Sequence, residues 1–266
     1  MTLSFRSGVS VALIVLYTPA LLTAILLTIR HGFGRSSGWR FLLTFTLARL
    51  IAASFQLVTI AQPTNLSLYI GEWVLLGIAL SPLELVSLGF LSRVLDSIRK
   101  THATLLTPRH IRLVQLLNTV GLGLAIGGGV QAGNAVGDGK PLAAPTVTKV
   151  AVALFIATFC LIVVGAALTW PSVSCAEDGE KRLLVAVSAT APFLLVRVVY
   201  TAVSVFDRKT DFNPVTGSVG LLLGMALIME LVIVYAFLAV GLTLKKIPKE
   251  REGAERSVDA MPKSSV

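Results

Sequence analysis

The stretch 68–91, LYIGEWVLLGIALSPLELVSLGFL, decides the class of fold. Only Glu72 and Glu84 are charged among its 24 residues. The apolar core of a bilayer is about 30 Å thick and needs roughly 20 apolar residues in helical conformation to cross it. A helix also satisfies every backbone polar group internally, as lipid requires. The stretch therefore predicts a membrane-spanning helix.

Six further stretches have the same character, so the sequence predicts an all-α, polytopic membrane protein with seven transmembrane helices. The predicted spans are residues 9–29, 41–60, 68–91, 113–136, 147–168, 183–205 and 217–244. We expect residues 1–244 to form the transmembrane domain and 245–266 a disordered basic and polar cytosolic tail. The lipid bilayer is the first expected partner.

The composition excludes other classes of protein. The chain is 55% hydrophobic and 14% charged, whereas a soluble domain averages roughly 25% charged residues. A soluble enzyme, a disordered chain and a nucleic-acid-binding domain are therefore poor interpretations, although the net charge is +9. We expect no nucleic-acid partner, because basic residues of so apolar a chain belong in loops beside anionic headgroups.

The distribution of basic residues predicts the orientation. Sixteen of the 23 lysines and arginines fall on one side of the predicted spans, five on the other and two inside spans. The side with more basic residues is expected to be cytosolic. The N-terminus is thus predicted to be luminal or extracellular and the C-terminus cytosolic, in the endoplasmic reticulum or the plasma membrane.

Four ionisable residues lie deep in the predicted spans, namely Arg49, Glu84, Arg197 and Glu230. Each costs at least about 2.5–3.5 kcal/mol on insertion scales, which makes it a candidate functional residue. Depths counted from the nearest cytosolic basic residue at 1.5 Å per residue match Arg49 with Glu84 and Arg197 with Glu230. Two ion pairs are predicted. They either fix helix register or line a polar cavity that receives a ligand or a proton.

Other polar residues share helix faces with these charges. Gln56 lies on the face of Arg49, and Tyr200 follows Arg197 on its face. Together they suggest a polar pocket within the bundle. We expect Glu84 and Glu230 to be catalytic, and the substrate-binding residues to be Arg49, Arg197, Tyr200 and Gln56.

The fourth span is rich in glycine, with Gly121, Gly123 and the run 127–129. Such residues favour a close helix–helix contact. A locally unwound helix that lines a cavity is the alternative.

The chain lacks the residues that several kinds of catalytic chemistry require. The chain has no aspartate-rich pair to hold Mg²⁺ against a diphosphate, its three histidines share no metal-ligand spacing, and no dinucleotide-binding motif follows a strand. We expect no metal and no cofactor. Acid–base chemistry by carboxylates remains.

One glycosylation sequon, Asn65-Leu66-Ser67, falls in a predicted luminal loop. The loop is short and close to the bilayer, so we expect Asn65 to be unmodified.

The residues resemble a family of fungal seven-span integral membrane proteins grouped as a domain of unknown function, DUF7702. The resemblance rests on residues 31–40 (HGFGRSSGWR), 77–84 (GIALSPLE), Arg197-Val-Val-Tyr200 and Glu230, and it covers most of residues 9–245. That family has no assigned mechanism. It usually has an apolar residue at the position of Glu84, so the resemblance marks Glu84 as a candidate for an acquired activity.

A weaker similarity is to the fungal RTA1-like lipid-translocating proteins. These also have seven spans, an Arg/Tyr pair in the sixth and a Glu in the seventh. A further Arg and Glu expected soon after Arg197 are missing, since residues 201–206 carry no charge. The departure weakens the case for lipid export.

Three hypotheses for function follow. The first is acid/base-assisted isomerisation or cyclisation of a lipophilic small molecule in a secondary-metabolite pathway of terpenoid, meroterpenoid or polyketide-like type, which such fungal seven-span proteins often accompany. The second is a transporter or an exporter of lipids or toxins, against which stands the lack of an internal repeat. The third is a seven-span sensor. The sequence predicts neither the substrate nor the oligomeric state.

Overall fold

The described residues form seven long apolar helices, and each is long enough to cross a membrane. The computed structural model describes residues 4–31, 37–100, 104, 106–140, 144–207, 210–214 and 217–244, and these contain no strand. The fold class and the number of spans predicted from the sequence are confirmed. The predicted disordered tail, 245–266, lies outside the described residues.

The helices extend beyond the predicted spans at most ends. They are α1 (Phe5–His31), α2 (Ser37–Ala61), α3 (Leu66–Ile78), α4 (Leu80–Ile98), α5 (Pro108–Gly137), α6 (Thr146–Thr169), α7 (Asp178–Phe206), α8 (Val219–Leu222) and α9 (Ile228–Thr243). A 3₁₀ turn, Trp170–Cys175, continues α6, and a π-helical turn, Leu223–Leu227, joins α8 to α9. His31, which the sequence placed in a loop, is the last residue of α1 and stacks on Trp39.

The third span, α3 with α4, is the centre of the bundle. In its most apolar 18-residue window 78% of residues are buried, against 28–50% in the other spans. The α4 helix packs against α2, α5, α6 and α7. Phe90 lies between Trp39 and Phe237, with ring centroids 4.6 and 5.0 Å apart, so the core of α4 also reaches the last span.

The third span is interrupted at Ala79, between α3 and α4. Pro82, three residues later, has no N–H to donate to the carbonyl of Ile78, and its ring crowds that carbonyl. The Ile78 carbonyl at the end of α3 therefore lacks its regular intrahelical donor. The seventh span is irregular too, because its π-helical turn ends just before Glu230.

The glycines of the fourth span serve close packing. The α5 helix is continuous, so the unwound alternative is wrong. A Cβ on Gly128 would lie 2.2 Å from Thr148 Oγ1 and 3.0 Å from its backbone nitrogen, and one on Gly129 would lie 2.7 Å from Val74. These two positions let α5 approach α6 and α3 closely. Gly123 and Gly127 face open space.

Candidate functional site

A buried carboxylate shared by two arginines lies at the centre of the bundle. Glu230 Oε1 accepts from Arg197 Nε at 2.5 Å and also from Arg49 Nη2. Glu230 is fully buried, and each arginine is 2% exposed. We call these three residues the central cluster. It carries two positive charges and one negative charge, so it is not neutral by itself.

The predicted Arg197–Glu230 contact is confirmed, but the predicted Arg49–Glu84 pair is wrong. The arginines from which depth was counted do not mark the ends of their helices. Arg40 is already inside α2, and Arg93 is inside α4, which continues to Ile98. Counted from the helix ends, Arg49 is twelve residues from Ser37 and Glu230 thirteen from Thr243, about 18–20 Å in each case. The two residues therefore meet at the same depth.

Glu84 has a neutral partner in place of Arg49. Asn118 Nδ2 on α5 donates to Glu84 Oε2 at 2.6 Å, and the Ser81 hydroxyl donates to Asn118 Oδ1. All three side chains are fully buried. Asn118, a polar residue of the fourth span, thus holds the second buried acid.

Arg197 connects the central cluster to two further elements. Its Nη1 donates to the Thr201 hydroxyl one turn further along α7, and its Nη2 donates to the carbonyl of Leu76 at 3.0 Å. Leu76 is in the last turn of α3, next to the interruption at Ala79. The guanidinium also lies 5.7 Å from the ring centroid of Tyr200. Arg197 is therefore fixed on all sides.

Several buried polar atoms around the cluster have no hydrogen-bond partner among the described residues. They are Arg49 Nε and Nη1, Glu230 Oε2, Glu84 Oε1, and the hydroxyls of Tyr17 and Tyr200. Tyr17 was missed from the sequence; it is fully buried on α1, with its ring against Phe45. The sequence feature that could have identified it is a single phenol side chain within an apolar span. Buried polar atoms of this kind require a partner such as water or a ligand.

A cavity of about 460 Å³ lies between α3, α5, α6 and α7, near the end of the bundle where α7 finishes. We call it the main cavity. Its apolar wall includes Trp73, Val152 and Phe155, and its polar groups include the hydroxyls of Thr148, Thr201 and Ser204. Thr201 is also the residue that accepts from Arg197. One hydroxyl thus joins the main cavity to the central cluster.

Two titratable residues that sequence reasoning did not select, Lys149 and Asp207, line the main cavity. The selected carboxylates do not line it. Glu84 lies seven residues beyond the lining residue Gly77, about 10 Å along the helix axis. Gly77 is in the last turn of α3, whereas Ser81 and Glu84 share a face of α4 and are joined there through Asn118.

Gln56 lies in a separate narrow cleft. With its amide nitrogen turned toward Glu72, it donates to both carboxylate oxygens at 2.8 Å. Arg49 lines the same cleft, whose volume is about 30 Å³, enough for one or two waters. The structure therefore brings Arg49 and Gln56 together, as their shared face predicted, but places Gln56 outside the main cavity.

A second ion pair, which is largely but not fully buried, lies at the opposite end of the bundle. Arg93 on α4 donates from Nε and Nη2 to Glu180 on α7, at 2.7–2.9 Å. The side chains are 9% and 10% exposed. The sequence had assigned Arg93 to a loop, which is wrong because α4 extends past it. We call this pair the closing pair.

Asn65 is the residue immediately before α3, and Ser67 of its sequon lies inside that helix. This position agrees with a site close to the bilayer, while its modification stays a prediction.

The fold and these contacts define a multi-pass, seven-helix membrane protein with a buried arginine–glutamate cluster. The chain belongs to the family described as domain of unknown function (DUF7702), whose profile matches residues 3–247. No curated protein and no solved structure matches the chain.

Proposed function

We propose that the chain binds a lipophilic small molecule in the main cavity and rearranges it by proton transfer, as an isomerase or cyclase. The observation that carries the proposal is a cavity of about 460 Å³ with a largely apolar wall, connected through Thr201 to the central cluster. Small-molecule sites typically have volumes of about 300–1,000 Å³, apolar walls and a few placed polar groups.

The polar groups suggest how a substrate oxygen is held. Thr201 lines the cavity, and its hydroxyl accepts from the Arg197 guanidinium behind it and donates to the Arg197 carbonyl. A carbonyl or hydroxyl oxygen at Thr201 would be polarised by that charge, which favours proton removal from, or addition to, the neighbouring carbon. Glu230 and the Leu76 carbonyl keep Arg197 in position.

The two buried acids then have different roles. Glu230 Oε1 accepts from two guanidinium groups and so holds the arginines in place. Glu84 has an Oε1 without a hydrogen-bond partner among the described residues, and it follows the cavity-lining Gly77 by seven residues in the same span. We therefore assign proton transfer to Glu84 before Glu230, with Ser81 between Glu84 and the cavity. Arg49 and Tyr200 stabilise the central cluster. Gln56 stabilises the wall of the narrow cleft.

The experiment uses purified protein in nanodiscs of neutral lipid, incubated in deuterated buffer with a panel of lipophilic enones, epoxides and polyenes. Mass spectrometry reports isomer formation and deuterium uptake. Thr201→Val should weaken substrate use by raising KM, while Thr119→Val, the same change at an exposed hydroxyl of α5, should not. Glu84→Gln should abolish conversion without loss of folded protein. Unchanged turnover in Glu84→Gln would remove that residue from the mechanism.

The pathway and the compartment belong to the same proposal. A role in fungal secondary metabolism, on a terpenoid, meroterpenoid or polyketide-like intermediate, rests on the family resemblance. Location in the endoplasmic reticulum or plasma membrane rests on the apolar spans alone. Co-fractionation of a tagged chain with markers of the two membranes tests the location. A neighbouring synthase gene and oxygenase genes would support the pathway.

Export of a lipophilic molecule is a second candidate, favoured by one observation. The third span is interrupted at Ala79 and the seventh contains the π-helical turn 223–227, both next to the central cluster. Discontinuous helices at a midplane charge site are typical of transporters. Efflux from intact cells with no product in isolated membranes would favour export, whereas product in isolated membranes would favour conversion.

A further inference from the structure

An apolar groove between α7 and α9 runs along the outside of the bundle. Its volume is about 490 Å³, and its apolar lining is formed by Val185, Ala186, Ala189, Ala236 and Val240. The small side chains of three alanines leave the space open. The groove lies at the end of the bundle where the closing pair is found, opposite the main cavity.

Two basic residues, Lys181 and Arg182, complete the lining at one end of the groove. They are in the first turns of α7, where the helix dipole adds positive potential. Of the acidic residues nearby, Glu180 pairs with Arg93 and Glu177 with Lys100. Arg182 is exposed and makes no hydrogen bond or ion pair with any described residue.

The dimensions of the groove match one lipid chain. Arg182 and Ala189 are seven residues apart on α7, about 10 Å along the axis. An alkyl chain lying along the helices would fill this length with roughly its first eight methylenes. Its headgroup would then be at the level of Lys181 and Arg182, where the helix begins. The basic end and the apolar body thus select a molecule with an anionic head and an alkyl tail.

We propose that this groove is a specific binding site for an anionic phospholipid, with one acyl chain along Ala186, Ala189 and Ala236 and the phosphate and acidic headgroup at Lys181 and Arg182. Each basic residue near a membrane surface contributes attraction worth about a fivefold change in binding. Neutral phospholipids gain less from these charges, so the site discriminates by headgroup. The inference does not depend on the proposed function.

The test is native mass spectrometry of the purified full chain, with an equimolar mixture of phosphatidylserine and phosphatidylcholine of identical acyl chains. Wild type should retain phosphatidylserine preferentially. Arg182→Ala should reduce this preference about fivefold, and Ala189→Leu, which fills the groove, should lower retention of the lipid itself.

Two matched variants control for general effects. Arg112→Ala removes an exposed charge from the same end of the bundle but on α5, and Ala157→Leu makes the same enlargement on an exposed position of α6. Both should behave as wild type. Equal retention of the two lipids by wild type would overturn the proposal. An effect of Arg112→Ala as large as that of Arg182→Ala would also overturn it, because the attraction would then belong to the whole basic face.

Discussion

The central cluster and the closing pair are both buried arginine–glutamate contacts, but their stoichiometry differs. In the closing pair one guanidinium meets one carboxylate through three contacts of 2.7–2.9 Å, and only Arg93 Nη1 lacks a partner among the described residues. In the central cluster two guanidiniums share one oxygen, while Glu230 Oε2 and two nitrogens of Arg49 have no partner among the described residues. A pair with equal numbers of positive and negative charges needs no role beyond stabilising the fold. A cluster with an excess charge and partnerless polar atoms, next to a cavity, indicates a further binding partner.

The largest expected effect is a loss of stability when the carboxylate of each site is removed, and the size of the loss should differ between the two sites. Glu230→Ala leaves two buried guanidiniums unpaired and should cost about 3–5 kcal/mol or more of unfolding free energy. Glu180→Ala should cost about 1–3 kcal/mol, because Arg93 lies near the helix end and can reach water. Reversible unfolding in mixed micelles measures both values.

Glu230→Gln serves as the milder variant, since it keeps an oxygen acceptor for the arginines. Equal losses for Glu230→Ala and Glu180→Ala would show that the two sites are equivalent, contrary to the comparison.

A middle-sized effect is expected at Glu84, the buried acid with a neutral partner. Asn118→Leu removes the donor to Glu84 and the acceptor of Ser81, and should cost about 1–3 kcal/mol. Asn134→Leu, the same change at an exposed position of α5, should change stability little. A harmless Asn118→Leu would mean that Glu84 does not need its amide partner.

A small effect is expected when the closing pair is replaced as a whole. Replacing a buried ion pair by apolar residues of similar volume is often neutral. Arg93→Met combined with Glu180→Leu should thus keep the unfolding free energy within about 1 kcal/mol of wild type. The equivalent change at the centre, Arg197→Met with Glu230→Leu, leaves Arg49 unpaired and should not be tolerated.

Measuring substrate conversion in the same variants also distinguishes the central cluster from the closing pair. If conversion were lost in the Arg93→Met, Glu180→Leu variant while the chain stayed folded, the closing pair would have a role beyond structure.

The smallest expected effect concerns the two ends of the bundle. The predicted orientation puts the main cavity and Asn65 on the luminal side and the closing pair on the cytosolic side. Asn65→Gln should leave electrophoretic mobility unchanged, because the sequon lies at the start of α3 beside the membrane. A mobility shift removed by a glycosidase in wild type alone would show that Asn65 is modified, and would also establish that this end is luminal.

The sequence predicted the seven spans because apolar length alone defines them, and it selected Arg49, Glu84, Arg197 and Glu230 because charge is rare inside them. It predicted the contact of Arg197 with Glu230, but it paired Arg49 with Glu84 instead of with Glu230. Partner choice depends on depth. Depth was measured from Arg40, Arg93, Arg182 and Lys245, of which the first three lie inside helices.

The main cavity was also beyond sequence reasoning. Its wall combines residues of four helices, and its polar members Thr148, Thr201 and Ser204 are ordinary hydroxyls when read one at a time. Only the contact between Arg197 and Thr201 distinguishes one of them. Long-range contacts of this kind have no local pattern.

The contact between Arg49 and Glu230 also has a consequence for biosynthesis, because Arg49 is synthesised well before Glu230. The two residues are 181 positions apart in the chain, and a ribosome adds about 5–20 residues per second. The second helix therefore waits about 10–40 s for the carboxylate that neutralises it. During that interval Arg49 has to be sheltered by the insertion machinery or by water. A chain terminated before the last helix would keep both arginines uncompensated, and we expect the cell to degrade it.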